Sequence, residues 1–145
     1  MFRDVLVVVS GQQYDTRILE QGVDLAKRYG ARLHVLAVVD ESDVTFGGDR
    51  YQSLVRQRGE TALRDAAERA AYRGTEARTT VVEGVPHECV LGYVRDHGID
   101  LVVIPVDGST SVGAYAASVI REGLLGDDAE HIIRQAQVPV VSVHV

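Results

Sequence analysis

DLVVIPVDGST at residues 100–110 and GDDAEHIIRQAQVPVVSV at residues 126–143 decide the fold. The first runs an apolar strand into a loop of small residues; the second opens a helix at Gly126-Asp127 and closes on another strand. Strand, loop, helix N-terminus and strand in that order are how an α/β domain builds an anion site, because the unpaired N–H groups at a helix start attract negative charge.

Working outward, Val5 to Val9 is a continuous β-branched run bounded by Ser10-Gly11, which suits a strand buried on both faces and central in a parallel sheet. Ile18, Leu19, Val23 and Ala26 recur at helical spacing over residues 16–29, with Asp15 or Thr16 as cap and Gly30 as stop. Residues 32–39 form a second strand and 40–49 a polar loop. A helix over 51–73 follows, with Leu54, Val55, Leu63, Ala66, Ala67 and Ala70 on its buried side. Residues 77–82 make the third strand, Pro86 opens a third helix where a missing N–H costs little, and the fourth strand starts at Leu101. Asp127 and Glu130 stand at capping-box spacing at the start of the last helix, and residues 140–145 are the last strand.

Strict alternation of strand and helix means an open parallel sheet with helices on both faces, formed by residues 1–145 as one domain. In such sheets the ligand crevice lies at the carboxyl ends of the strands, where the strand order reverses. The crevice is therefore expected among Val9, Ser10, Gly11, Val38, Pro105, Gly108, Ser109, Gly126 and Asp127.

Composition narrows the function. The chain has 145 residues, 46% hydrophobic and 25% charged, long enough to bury about two thirds of its unfolded surface. With 15 basic against 21 acidic residues its net charge is −6, which opposes a nucleic-acid partner. Arg50, Arg56, Arg58, Arg64 and Arg69 interleave with acidic residues as on a solvated helix face. No apolar run is long enough for a membrane span, and no signal-peptide pattern precedes the first strand. With a single cysteine, Cys89, these features place the protein in the cytoplasm.

The chemistry-bearing motifs are incomplete. Gly108-Ser-Thr-Ser-Val-Gly113 has the first half of a phosphate loop, but Ala114-Tyr115 replaces its Lys-Ser/Thr pair. The loop from Ser10 to Thr16 differs from the SGGxDS loop of ATP-pyrophosphatases at Gln12 and by one extra residue before Asp15. The five histidines (His34, His87, His97, His131 and His144) have no metal-ligand spacing, and no nucleophile, base and orienter form a set. Asp127 is expected to cap the last helix, placing a carboxylate where a phosphate would sit.

In this order of elements the chain resembles the universal stress protein family over essentially its full length. VLVVVSG at 5–11, Leu25-Ala26, LHVLAVV at 33–39, VEGVP at 82–86, DLVVI at 100–104 and QVPVV at 137–141 carry the resemblance. It implies the adenine nucleotide alpha hydrolase-like fold, five strands in order 3-2-1-4-5, and a regulatory stress-response module without catalysis. It also implies a homodimer formed by last strands pairing through Val140, Val141 and Val143.

Nucleotide-binding members of that family place an Asp after the first strand, and a Gly, two residues, Gly, nine residues, Gly-Ser/Thr motif around the phosphates. These positions fall here on Ser10, Pro105, Gly108 and Gly126-Asp127, with the spacer grown to the seventeen residues 109–125. Sliding the motif to Gly113, Ala116 and Gly126 restores the spacing and loses the middle glycine. The expectation is a weakened or lost ATP mode, no obligatory cofactor or metal, and action through protein partners or another small ligand. The alternatives are an ATP sensor with a modified loop using Ser10, Gly108, Gly126 and residues 109–111, and an enzyme acting on a nucleotide. Tyr115, Ala116, Val119, Ile120 and Leu124 form an amphipathic pattern within the insert.

Overall fold

A computed structural model describes residues 2–10, 15–40, 48–106 and 126–144. In chain order the elements are β1 (Asp4–Ser10), α1 (Thr16–Tyr29), β2 (Arg32–Asp40), α2 (Gly48–Tyr72), β3 (Ala77–Gly84), α3 (Pro86–His97), β4 (Leu101–Val106), α4 (Gly126–Gln135) and β5 (Val140–His144). The strands form one parallel sheet in the order β3-β2-β1-β4-β5. That is the alternation, and the order, expected above.

The pleat explains how one sheet makes two cores. Val5, Val7, Val9, Leu33, Val35, Ala37, Leu101 and Val103 point to the face covered by α1 and α2. Their alternates Leu6, Val8, Leu36, Val38, Val102 and Ile104 meet α3 and α4 through Val90, Tyr93, Ala129 and Ile132. A β-branched run buried on both faces is thus satisfied only at the centre of the sheet.

The helix limits follow from local chemistry. Asp15 caps α1, its carboxylate accepting the Arg17 N–H at 2.9 Å, and Gly30 ends it with φ of 62°. Pro86 opens α3 and Gly98 ends it with φ of 61°. A left-handed residue costs glycine no Cβ clash, so at both positions the chain turns sharply into the next strand.

Two details differ from the expectations. Helix α2 begins at Gly48, inside the segment expected to be loop. Leu54, assigned to its buried side, is 42% exposed, while Val55, Leu63, Ala66 and Ala70 are buried. Leu54 sits one residue off the stripe of Val55, Ala62, Leu63, Ala66 and Ala70 that faces the sheet, so its side chain falls outside that contact. The amphipathic pattern of the 109–125 insert lies outside the described residues.

Candidate crevice at the carboxyl edge of the sheet

The strand ladders end at different heights on the carboxyl edge. Strand β1 stays paired with β2 as far as Ser10 and Val38, and β4 with β5 as far as Val106 and His144. Between β1 and β4, however, the ladder ends at Val7 and Val103. The two central strands therefore part at their carboxyl ends. Helix α1 leaves on one face of this fork and α4 on the other, which is the topological switch point where open α/β sheets hold ligands.

Val9, Ser10, Val38 and Pro105 all come to this edge. Gly126 and Asp127 open α4, which starts from the same edge because it follows β4. Gly11, Gly108 and Ser109 lie outside the described residues. Pro105 is held inside β4 opposite Val143 and supplies no N–H to a ligand. Helix α4 is described from Gly126, and the expected side-chain cap by Asp127 lies outside the described residues.

The carboxylate that the structure does define there is Asp128, which sequence spacing did not single out. It is 9% exposed and accepts both the backbone N–H of His87 at 3.2 Å and the His87 ring Nδ1 at 2.7 Å. It thus ties the first turns of α3 and α4 together. The His131 ring lies 4.4 Å from that of His87, centroid to centroid. Partners forty-one residues apart leave no trace in local spacing.

A second polar cluster stands at the opposite, amino edge. His34 is 2% exposed, with Nε2 2.9 Å from Asp4 Oδ1 and Nδ1 2.9 Å from the Tyr93 hydroxyl. Arg32 reaches the same carboxylate at 3.0 Å, and the Asp100 side chain accepts the N–H groups of Arg3 and Asp4. Burial pushes the Asp4 carboxyl up, but the hydrogen bonds from His34 and Arg32 and their charges outweigh it, holding the carboxyl below the usual 3.8. One signal for this cluster was in the sequence: His34 falls on the same strand face as Leu36 and Val38, where an imidazole needs partners.

Among the described residues no group of three or more His, Cys, Asp or Glu side chains is placed to hold a metal ion, and no helix is long and apolar enough to cross a membrane.

A five-stranded parallel sheet in the order β3-β2-β1-β4-β5 with helices on both faces defines an open α/β domain. The family model for the universal stress protein family matches residues 1–144, and the chain belongs to that family. A universal stress protein of Bacillus subtilis is 28% identical over 155 aligned positions, covering 99% of each chain. The crystal structure of a family protein from Burkholderia pseudomallei superimposes with a TM-score of 0.71 at 26% identity, over 98% of this chain and 96% of the other. The universal stress protein from Archaeoglobus fulgidus in complex with dAMP has the same fold, with a TM-score of 0.66 at 16% identity over 97% of each chain.

Proposed function

We propose that this protein is a non-catalytic, cytoplasmic stress-response module whose crevice no longer takes ATP in the family manner and which acts as a homodimer through protein partners or another small ligand. The observation that carries this reading is the acidic opening turn of α4. Gly126, Asp127 and Asp128 follow one another there, and the buried Asp128 carboxylate already takes the His87 N–H at the start of α3. An acidic opening turn offsets the positive helix end that would otherwise serve a triphosphate at this edge. Pro105 removes a further N–H.

The test is to denature freshly purified protein, identify any released small molecule by mass spectrometry, and titrate the emptied protein with ATP by calorimetry, with and without magnesium. The expected result is no stoichiometric adenine nucleotide and no micromolar ATP binding. Stoichiometric nucleotide, or micromolar binding, favours the second reading: an adenine-nucleotide sensor with a modified loop. The fork between β1 and β4 supports that alternative, as does the dAMP bound to the Archaeoglobus fulgidus protein.

The dimer reading rests on β5. It is an edge strand, paired with β4 alone among the described strands, and Val140, Val141 and Val143 are only half-buried. An uncovered apolar edge invites pairing, and a two-fold strand-to-strand contact closes it. Val141→Lys is expected to reduce the mass in sedimentation equilibrium from twice the 15.8 kDa of the chain to that value, with the circular dichroism of the fold retained. An unchanged mass rules out this interface.

A further inference from the structure

We propose that the Asp4–His34–Tyr93 chain is a proton-sensitive latch that seats helix α3 on the sheet and releases it on acidification. The inference is separate from what the crevice binds, and it starts from hydrogen-bond direction. The Asp4 carboxylate only accepts, so the His34 Nε2 facing it at 2.9 Å carries a hydrogen. In the neutral ring Nδ1 is then a bare acceptor, and the Tyr93 hydroxyl 2.9 Å away donates to it. Every polar atom in the chain is satisfied, and α3 is bonded to β2 through the core.

A proton arriving at Nδ1 reverses this bond. Nδ1–H becomes the donor, and the Tyr93 oxygen must accept. The hydroxyl hydrogen loses its acceptor, and among the described residues no other hydrogen-bond partner is present for the Tyr93 hydroxyl. An unpaired hydroxyl and an added charge inside the core both work against the closed state.

The surrounding charges do not cancel that cost. From β1 comes Asp4, but its carboxylate is already paired with Arg32 from β2 at 3.0 Å, so the imidazolium leaves one positive charge in excess. From β3, Arg78 stands in register with His34. From α3, the His97 ring stacks on Tyr93 at 3.8 Å and lies 6.2 Å from His34. At the head of β4, the Asp100 side chain is taken up by the N–H groups of Arg3 and Asp4.

The consequence reaches the other edge of the sheet because α3 spans the distance. Its first turn carries His87, bonded to Asp128 of α4 beside the fork between β1 and β4. Release at Tyr93 therefore loosens the element that braces α4.

Amide hydrogen exchange from about pH 8 to about pH 5, corrected for intrinsic exchange, tests the latch. Protection of the α3 amides from Val90 to Val94 is expected to fall about tenfold relative to those of β1 and β2, within the range for one buried hydroxyl left unpaired. His34→Gln donates to Asp4 and accepts from Tyr93 at every pH, so it should abolish the step. Tyr93→Phe should show at about pH 8 the α3 protection that the unaltered protein shows at about pH 5, and this variant carries the test if the first does not fold. The proposal is overturned by a flat profile in the unaltered protein, by a step that survives His34→Gln, or by a step that disappears in His87→Gln instead.

Discussion

Gly22→Ala is expected to lower the unfolding free energy by about 3 kcal/mol, at the upper end of the ordinary cost of overpacking. On helix propensity alone the sign is the opposite, since alanine is favoured over glycine in a helix interior by about 0.5–1 kcal/mol. Packing decides. Gly22 lies on the buried side of α1, and a Cβ there overlaps Val7 Cγ2. Val7 is the centre of β1, fully buried and paired with β2 on one side and β4 on the other, so β1 cannot withdraw without breaking a ladder. Urea unfolding measures the loss. Making the same change in a Val7→Ala background should remove most of it, because the two side chains then share the space one of them needs, and the double-mutant cycle should show strong coupling. A Gly22→Ala protein as stable as its parent refutes the close approach of α1 to β1.

The central strands and the crossover helices were legible because their signals are local. VLVVV has only one economical place in an α/β sheet, and the glycines at 30 and 98 mark turns that the structure places at positive φ. The carboxyl edge of the sheet, where the crevice is expected, was legible too, since topology alone sends strand ends and helix starts to one side. What stayed hidden depends on contacts distant in sequence. Asp128 had no assigned role in the sequence, because its partner His87 is brought against it only by the packing of α3. No local pattern joins Asp4 to Tyr93, yet they take opposite sides of one imidazole. Periodicity reports which face a residue occupies; it carries no information about which polar group waits on the other element. Leu54, placed on the buried face by spacing, sits one residue off the stripe that starts at Val55 and is left exposed.

Asp4→Asn is expected to reduce stability at neutral pH by about 2 kcal/mol, with the difference closing as the pH falls. Removing one partner of a buried ion pair typically costs about 3–5 kcal/mol. The lower figure follows from Arg32, the charged partner, which is 72% exposed and can recover water when its carboxylate is gone. An asparagine oxygen still accepts from His34 Nε2–H, so shape and one hydrogen bond persist while the charge does not. The pH dependence follows from the depressed carboxyl. In the folded protein Asp4 lies below the ordinary 3.8 under the influence of His34 and Arg32. Its carboxylate therefore contributes fully above the ordinary value, and that contribution is lost as the pH falls through the depressed one. Urea unfolding of both proteins from neutrality into this acid range should show the curves converging, since the substituted asparagine has no proton to take up. Parallel curves would mean that Asp4 titrates alike in the folded and unfolded chains, and that the buried cluster at the amino edge contributes through packing rather than through charge.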